Sequence, residues 1–234
     1  NSIQNKFMLE AITNLFFPKA CVGCDAFLLS NEIIICSKCR HEIPLTNHYL
    51  HNKNEATEKF YGRIPIEYGS CFMYFHKKGI VQEIIHSLKY RGHEEIGTVI
   101  GDWYADDLKE NEILKSVDFI VPVPLHPRKL KKRGYNQVTT FGKSLSENLS
   151  IPLDETLLHR NIHSETQTFK NLIGRMENSE GVFGVTFNEN NHNKHYLLID
   201  DVLTTGATLE ACGRAILEIP GAKLSIVTMA YAHS

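Results

Sequence analysis

The sequence of 234 residues lacks several features that would place it in a common class of protein. No uncharged apolar run approaches the roughly 18 residues that a membrane-spanning helix needs, and the N-terminus shows no cleavable signal pattern. The formal net charge is only -2, which gives no overall attraction to nucleic acid or to an acidic membrane. We therefore expect a cytoplasmic protein without stable membrane insertion, in which any anion site is local.

Two common phosphate-binding motifs are also absent. The sequence contains no GxxxxGK[ST] loop, and no GxGxxG follows a predicted strand. Internal repeats and low-complexity tracts are missing too, while apolar residues make up 42% of the chain, enough to form a core. Any phosphate-binding site in this globular chain must use a different motif.

Cysteine is scarce but concentrated in one stretch. Four of the six cysteines form two CxxC pairs separated by eleven residues. The four are Cys21, Cys24, Cys36 and Cys39. Such spacing lets four thiolates converge on one tetrahedral Zn²⁺, whereas buried or redox-active cysteines would not require it, and a complete set of four predicts a structural zinc. We predict that Cys71 and Cys212, which stand alone, are core residues and that His41 is a surface residue.

Hydrophobic periodicity and proline or glycine punctuation divide the chain into alternating strands and helices. The predicted strands are 71–75, 119–125, 196–200 and 224–232. The predicted helices are 8–17, 80–90, 94–110, 137–149 and 207–219. Alternation of this kind predicts an α/β fold with a mostly parallel, doubly wound sheet and with ligands at the carboxyl ends of the strands.

The same pattern suggests three parts along the chain. Residues 8–43 hold the N-terminal helix and the four-cysteine module, residues 44–65 are a polar linker, and residues 66–234 form the α/β domain. The linker contains His48 and His51, which lack the regular spacing of metal ligands. We predict that both histidines are solvated.

The stretch DDVLTTGAT falls in the predicted turn between a buried strand and the next helix. Its loop can direct backbone N–H groups and hydroxyls at one anion, aided by the positive end of the helix dipole. The loop residues are Thr204, Thr205, Gly206, Ala207 and Thr208. Asp200 and Asp201, at the strand tip, are costly to bury unless they are partnered, and two vicinal hydroxyls would satisfy them. A phosphate beside vicinal hydroxyls describes a ribose 5-phosphate.

The stretch YLLIDDVLTTGAT (196–208) resembles the signature with which type I phosphoribosyltransferases bind 5-phosphoribosyl 1-pyrophosphate (PRPP). Three further features are VPVPLHPRKLKKRGYNQ (121–137), LKYRGHEEIG (88–97) and the four-cysteine module. Together they resemble the ComF family, phosphoribosyltransferase-like proteins linked to bacterial competence. The resemblance covers nearly the whole chain, from about Met8 to Ala232.

The resemblance implies a type I phosphoribosyltransferase-like fold, with a small N-terminal zinc ribbon before a mostly parallel, doubly wound sheet. It implies that residues 66–234 bind PRPP with Mg²⁺, and that Asp200 and Asp201 are catalytic acids, which fix the ribose and stabilise charge at C1. A role in internalising transforming DNA follows from the same likeness. The acceptor of any phosphoribosyl transfer is not identified by any residue. A PRPP-sensing regulator and a single-stranded DNA-binding factor of the DNA-uptake machinery are the alternatives.

A basic segment, HPRKLKKRG, follows the predicted strand 119–125, and we expect it to be a loop at the same edge as the acid pair. In a phosphoribosyltransferase this loop holds pyrophosphate, and our predicted contacts are Arg128, Lys131 and Arg133. A nucleic-acid backbone or plain solvent would suit the lysines as well. Lys89 and Arg91 form a second cationic group that can reach the same ligand, although a helix C-terminus also favours cations.

Residues 158–183 lie between the basic segment and the acid pair and are rich in polar side chains. These include Arg160, His163, Thr166, Gln167, Lys170 and Arg175. Type I phosphoribosyltransferases have a mobile loop at this place in the chain order, which closes over the reacting centre and excludes water. A plain surface loop is the alternative.

Overall fold

A computed structural model of the chain describes residues 19–161 and 182–233. The predicted helix 8–17 lies outside the described residues. So does most of the predicted closing loop, including His163, Thr166, Gln167, Lys170 and Arg175. The sheet, its helices and the four-cysteine module all lie within the described ranges.

The predicted helices 80–90, 94–110, 137–149 and 207–219 are present with small shifts of their ends, whereas three further α-helices, at 37–42, 55–58 and 127–133, were not predicted. The α-helices of the described residues are α1 (Ser37–Glu42), α2 (Glu55–Glu58), α3 (Ile80–Tyr90), α4 (Glu95–Leu108), α5 (Pro127–Arg133), α6 (Thr139–Leu149) and α7 (Ala207–Ile216). Short 3-10 turns lie at His48–Leu50, Leu114–Ser116 and Glu189–Asn191. None of the described helices combines the length and the apolar character that a membrane crossing requires.

The strands form one parallel sheet and one small hairpin. The strands are β1 (Tyr68–Phe75), β2 (Phe119–Pro122), β3 (Leu158–Arg160), β4 (Phe183–Val185), β5 (His195–Leu203) and β6 (Lys223–Ala232). The sheet has the order β1-β6-β5-β2, and its paired strands are all parallel. β3 and β4 pair with each other antiparallel.

Both faces of the sheet are covered, as the apolar composition of its strands requires. On one face, Leu197 and Ile199 of β5 share a core with buried side chains of α3, α4 and α6. On the other face, Tyr196 and Leu198 share a core with α7 and the β3–β4 hairpin. Side chains that alternate along β5 therefore enter two different cores, and the predicted doubly wound α/β arrangement is confirmed.

The predicted strand 119–125 is too long. β2 ends at Pro122, and both Pro122 and Pro124 lack the N–H group that a longer hydrogen-bonded ladder would use. The opposite error occurs at 196–200, because β5 continues to Leu203.

The segment 44–65, predicted as a polar linker, is well ordered and packed against the sheet. Asn54 caps α2 by accepting hydrogen bonds from the N–H groups of Ala56 and Thr57, and Thr57 completes a capping box. Phe60 and Ile64 are buried in the core on the α7 face. This segment extends the main fold, while the domain boundaries themselves stay a prediction.

The prediction that His48 is solvated is wrong, whereas His51 is exposed as predicted. His48 is buried, and its Nε2 lies 3.2 Å from Oε2 of Glu55. Edge-on contacts with the rings of Tyr74 and Tyr231 complete its surroundings. A histidine in a polar stretch was buried because the chain around it folds over the ends of β1 and β6.

The four-cysteine module packs on the outer surface of α3 and α4. A Cβ at Gly23 would come within 2.9 Å of Ile80 Cγ2, so the first CxxC pair is close against the start of α3. The guanidinium of Arg40 lies 4.9 Å from the centre of the Trp103 ring on α4. Cys21, Cys36 and Cys39 belong to the same core as the helices of this face.

Candidate functional site

The topology places a crevice at the carboxyl ends of β2 and β5. These two strands are neighbours, yet the chain leaves β2 for α6 on one face and leaves β5 for α7 on the other. In an open parallel sheet, ligands bind at such a point of divergence, outside the carboxyl ends of the strands. The acid pair and the basic segment follow these two strands and therefore meet at the crevice.

The predicted anion-binding turn lies between β5 and α7. Gly206, at φ 78°, adopts the left-handed conformation that glycine tolerates best. Gly206 has no side chain with which to cap α7, and the first N–H groups of the helix have no partner within it. The N–H of Ala207 donates a long hydrogen bond of 3.4 Å to Oγ1 of Thr205. Thr204, Thr205, Ala207 and Thr208 are exposed. The turn therefore offers backbone donors, hydroxyls and the positive end of a helix dipole on one accessible surface.

The acid pair is not at the strand tip but inside the last part of β5, which runs on to Leu203. Adjacent residues of a strand point to opposite faces, so the two carboxylates have different surroundings. Asp201 is 4% exposed, and its Oδ1 lies 2.7 Å from Nζ of Lys89. Its Oδ2 accepts a hydrogen bond of 2.6 Å from Nε2 of Gln137. Asp201 is thus held by two partners on the α3 and α6 side.

Asp200 is half-buried and lies on the α7 side of the sheet. Its Oδ1 accepts a hydrogen bond of 2.8 Å from the backbone N–H of Asp201. Burial, followed by the neighbouring charge of Asp201, raises the pKa of Asp200 to about 8, against the smaller lowering effects of the Asp201 N–H and of Lys89. Asp200 is therefore largely protonated at neutral pH, while Asp201 is the anion paired with Lys89.

The basic segment is a helix, α5, and not the predicted loop. Pro127 takes the first helical position, and Nδ1 of His126 accepts a hydrogen bond of 3.1 Å from the N–H of Arg128. Gly134, at φ 88°, ends the helix in the left-handed conformation. These start and stop signals were present in the sequence, but the density of cations obscured them.

Cations from α3 and α5 surround a cavity of about 260 Å³ beside the acid pair. Its lining residues are Lys89, Tyr90, Gly92, Lys129, Lys132, Arg133 and Tyr135. The guanidinium of Arg133 lies 5.5 Å from the centre of the Tyr90 ring and donates a hydrogen bond to Oε1 of Gln137. Gln137 therefore connects Arg133 to Asp201, and Lys89 both lines the cavity and pairs with Asp201.

The structure brings together some of the predicted PRPP contacts and separates others. Lys89 and Arg133 line the cavity, whereas Arg128 and Lys131 are exposed on other sides of α5. Arg91 is directed to Glu83, with Nη2 and Oε2 3.5 Å apart. Lys129 and Lys132, which we did not select as contacts, are lining residues. Because α5 is a helix, residues on one of its faces line the cavity and residues on its other faces do not.

Sequence reasoning missed Arg63, which contacts the anion-binding turn. Nη1 of Arg63 donates a hydrogen bond of 2.8 Å to the carbonyl oxygen of Thr205. Its Nε donates a hydrogen bond of 2.7 Å to Oε2 of Glu210 on α7. Arg63 lies in the segment that we predicted as a linker, and nothing in that polar stretch indicates a partner about 140 residues further along the chain.

The four cysteines form a second site. All are free thiols, and their sulfur atoms lie within 4.8 Å of one another. Four sulfurs held about 2.3 Å from a zinc ion at tetrahedral corners are about 3.8 Å apart, and Sγ of Cys24 and Sγ of Cys36 are 3.7 Å apart. The donor set and its spacing therefore fit a tetrahedral metal ion.

The backbone favours a thiolate at Cys21, whereas burial and the other cysteine side chains raise the pKa of Cys39. Burial alone would raise the pKa of the Cys21 thiol, but N–H groups of Cys36, Gly23 and Cys24 outweigh it and lower the pKa to about 7. The N–H of Cys36 lies 3.3 Å from Sγ of Cys21, and the N–H of Cys39 lies 3.4 Å from Sγ of Cys36. His41 is exposed as predicted, and Cys71 and Cys212 are buried as predicted.

The sequence has curated relatives in bacteria. It is 32% identical over 114 residues to competence protein F of Haemophilus influenzae, which is 48% of this chain and 50% of that protein. It is 31% identical over 140 residues to competence protein ComFC of Bacillus subtilis, or 59% of this chain and 54% of that protein. DNA utilization protein YhgH of Escherichia coli is 27% identical over 61% of this chain and 63% of its own length.

The chain is a homologue of these competence and DNA utilization proteins. The predicted resemblance to competence proteins is thereby confirmed. The matched regions span between half and two thirds of the length of these relatives. No family model matches the chain.

Solved phosphoribosyltransferases are among the structurally similar proteins. Adenine phosphoribosyltransferase of Leishmania tarentolae is 15% identical, with a TM-score of 0.36 over 77% of this chain and 89% of that chain. A hypoxanthine phosphoribosyltransferase of Staphylococcus aureus is 18% identical, with a TM-score of 0.33 over 58% of this chain and 62% of that chain.

Proposed function

We propose that this chain binds PRPP in the crevice between the ends of β2 and β5 and acts in the uptake or use of transforming DNA. The observation that carries the proposal is the convergence of three features at one sheet edge: the exposed start of α7, the acid pair and the cationic cavity. The names of the relatives, competence protein F, ComFC and DNA utilization protein YhgH, support the biological role.

The 5-phosphate of PRPP would bind at the turn Thr204–Thr208. The first N–H groups of α7 and the exposed threonine hydroxyls provide donors to phosphate oxygens. Gly206 supplies the left-handed conformation that the turn needs, and the position of its missing Cβ faces Phe60 and Arg63. A phosphomonoester fits this position better than a neutral group does, since the helix dipole favours negative charge.

The ribose would lie over the end of β5, where Asp200 and Asp201 accept hydrogen bonds from its hydroxyls. Asp201 is already fixed by Lys89 and Gln137, so its orientation does not depend on the ligand. The pKa of Asp200 is raised, and a cation beside this carboxyl group would favour its ionised form. The two acids therefore differ in role: Asp201 is a fixed anion, and Asp200 changes its charge when the site fills.

The pyrophosphate of PRPP would lie in the cavity lined by Lys89, Lys129, Lys132 and Arg133. Four cations around one cavity carry enough positive charge for a pyrophosphate, and the fork of Arg133 suits phosphate oxygens. Mg²⁺, which prefers hard oxygen ligands, would accompany the ligand beside the carboxylate of Asp200 and would offset part of the ligand's negative charge.

Phosphoribosyl transfer from such a complex would break the bond between C1 and the pyrophosphate oxygen, and a nucleophile would form the new bond to C1. The cations of the cavity would offset the charge of the departing pyrophosphate, and the acids would stabilise positive charge at C1. No described residue identifies the acceptor. A PRPP-sensing regulator uses the same contacts without the transfer step.

The cysteine cluster would hold a structural Zn²⁺. All four positions of a tetrahedral site are filled by Cys21, Cys24, Cys36 and Cys39, so a catalytic water has no place on the ion. The ion would stabilise the module that packs on α3, the helix that supplies Lys89 to the crevice.

Calorimetric titration of PRPP with Mg²⁺ tests the proposal, with Asp200→Asn as the variant. Asp106→Asn on α4, whose side chain is 73% exposed, is the matched control. We expect binding by the wild type and by the control, and affinity at least tenfold weaker for Asp200→Asn, about 1.4 kcal/mol. A folded, zinc-loaded wild type that does not bind PRPP contradicts the proposal.

A second candidate function is the binding of single-stranded DNA. Tyr90 is 67% exposed at the rim of the cationic cavity, and an exposed aromatic ring beside cations suits a base next to a phosphate backbone. Fluorescence anisotropy with a labelled oligonucleotide, measured over a range of salt, tests this function. In the double variant Lys129→Gln/Lys132→Gln, the slope of the logarithm of the binding constant against the logarithm of the salt concentration should become shallower by about two units. The control Lys109→Gln/Lys115→Gln should keep the wild-type slope. Equal slopes in both variants exclude the cavity from DNA binding.

A further inference from the structure

Arg63 joins the segment before β1 to the anion-binding turn. Its Nη1 donates a hydrogen bond of 2.8 Å to the carbonyl oxygen of Thr205 and another of 3.0 Å to the carbonyl oxygen of Lys59. Its Nε and Nη2 both contact Oε2 of Glu210, in the first turns of α7. One guanidinium thus holds the turn and the helix that follows it to the 55–64 segment.

The contact with Thr205 fixes the direction of a neighbouring N–H group. A trans peptide is planar, and the C=O of one residue and the N–H of the next point in opposite directions. The structure has no cis peptide bond among its described residues. Because the C=O of Thr205 points to Arg63, the N–H of Gly206 points away from Arg63. Thr204, Thr205 and Thr208, which flank Gly206 in the same turn, are exposed.

We infer that Arg63 is a positioning residue that orients the peptide between Thr205 and Gly206, so that the Gly206 N–H is presented to a phosphate at the start of α7. This inference rests on the proposed function, which places a phosphate there. Arg63 does not contact the phosphate subsite with its own charge, since its guanidinium is occupied by Glu210 and two carbonyl oxygens.

The packing around Gly206 supports a fixed turn. Gly206 is buried, and a Cβ at this position would lie 3.2 Å from Cε1 of Phe60 and 3.4 Å from Nη1 of Arg63. The 55–64 segment therefore approaches the turn from behind, on the side opposite the open surface. Phe60 and Arg63 pack close behind the turn, and loss of the guanidinium would open space for the peptide to rotate.

Arginine suits this position because three of its nitrogen atoms are used at once. Glu210 is held from its other side by Arg214, whose Nη2 lies 2.7 Å from Oε1, so the carboxylate is fixed before it pairs with Arg63. Lysine at position 63 could reach Glu210 or the Thr205 carbonyl with one ammonium group but could not reproduce the fork. The variant Arg63→Lys should therefore restore only part of what Arg63→Met removes.

The first test measures the turn without any ligand. In ¹⁵N relaxation experiments, the amide of Gly206 in the wild type should have an order parameter of about 0.85. The substitution Arg63→Met should lower this order parameter to less than about 0.6. The control is Arg214→Met, which removes contacts to Glu210 and to the Arg63 carbonyl but none to the turn. An unchanged order parameter in a folded Arg63→Met protein overturns the inference.

The second test measures binding of ribose 5-phosphate by calorimetry. We expect affinity about tenfold weaker in Arg63→Met, the size of a lost charge-assisted hydrogen bond, an intermediate loss in Arg63→Lys and no loss in Arg214→Met. A mobile turn with unchanged affinity also overturns the inference. If the wild type does not bind ribose 5-phosphate, the proposed function is rejected. If the wild type binds and the variants do not follow the expected order, only the inference about Arg63 is rejected.

Discussion

The cysteine cluster and the acid-pair crevice differ in how far along the chain their parts lie. All four cysteines come from residues 21–39, and their backbone conformation alone brings the sulfurs within 4.8 Å. The crevice instead joins Asp201 to Lys89, Gln137 and, through Gln137, Arg133. A short motif can specify a local metal site, whereas a site at a sheet edge is complete only after the whole domain has folded.

The two sites also differ in what balances their charges. Four thiolates at one point need a cation, because buried like charges repel strongly. In the crevice, Lys89 and Gln137 already satisfy Asp201, and Asp200 retains a proton. The cysteine module should therefore depend on an ion for its stability, and the crevice should not.

Among the changes that distinguish the two sites, substitution Cys39→Ser, or removal of metal by a chelator, should have the largest effect on the stability of the protein. Zn²⁺ binding by small structural sites is worth about 10–16 kcal/mol in apparent free energy at neutral pH, and Cys39 is almost fully buried beside α3 and α4. We expect loss of bound zinc and a fall in Tm of more than about 10 °C, because 1 kcal/mol shifts the Tm of a chain of this size by about 2–4 °C. Metal content and calorimetric unfolding measure both effects.

His41→Ala is the control for this experiment, since His41 is exposed and lies next to the second CxxC pair. It should leave zinc content and Tm unchanged. A Cys39→Ser protein that keeps one zinc per chain would show that the four sulfurs do not act as one ligand set.

Substitution Asp201→Asn should have the next largest effect, now on the crevice. It leaves Lys89, whose side chain is 23% exposed, without its carboxylate partner. Loss of one partner of a fully buried ion pair costs about 3–5 kcal/mol, and partial exposure of Lys89 reduces this to about 2 kcal/mol. Urea denaturation should show that loss, and the double variant Lys89→Met/Asp201→Asn should recover part of it. A double variant no more stable than Asp201→Asn contradicts the pairing.

Substitution Asp200→Asn should change the pH dependence of stability. The raised pKa of Asp200, about 8, means that the folded state keeps a proton which the unfolded state loses at its ordinary, lower pKa. Wild-type stability from this group therefore falls as pH rises from about 4 to 8, by linkage. Asparagine cannot ionise, so Asp200→Asn should match the wild type near pH 4 and become progressively more stable than it toward pH 8, by up to about 1.4 kcal/mol for each pH unit.

Calorimetric scans of both proteins at several pH values measure this difference. The two acids can also be compared with each other, because at neutral pH Asp201→Asn should lower the stability of the protein and Asp200→Asn should raise it. An Asp200→Asn variant whose stability difference from the wild type is constant across pH shows that Asp200 is ionised in the folded protein.

Much of the fold could be predicted from the sequence, because its signals are local. The apolar periodicity of 80–90 and 207–219 and the apolar runs at 71–75 and 224–232 predict elements that the structure confirms with small shifts of their ends. The alternation of these elements predicts the parallel sheet. The motif at 200–208 then predicts which edge of that sheet holds the turn and the acids.

The remaining features depend on contacts between distant residues. Lys89 reaches Asp201, and Arg63 reaches Thr205, only because β1 and β5 lie in one sheet and the 55–64 segment folds against its α7 face. His48 is buried for the same reason, although its sequence neighbours are polar. The helical nature of α5 was missed for a different reason, since five cations in a short stretch repel one another and suggest a loop.

The smallest effect is expected for substitutions at two lysines of α5, Lys131 and Lys132, which differ only in the direction of their side chains. Lys132 lines the cationic cavity and Lys131 does not, while both are exposed. Lys132→Gln should weaken PRPP binding by about threefold, since one partly solvated charge contributes less than about 1 kcal/mol, and Lys131→Gln should leave it unchanged. Stability should be the same in both variants, because neither lysine is buried. Titration at two salt concentrations measures the difference, which should shrink at the higher salt as screening increases. Equal weakening by both substitutions would mean that α5 acts as a diffuse positive surface, and the crevice would then lack the defined pyrophosphate subsite that the proposal requires.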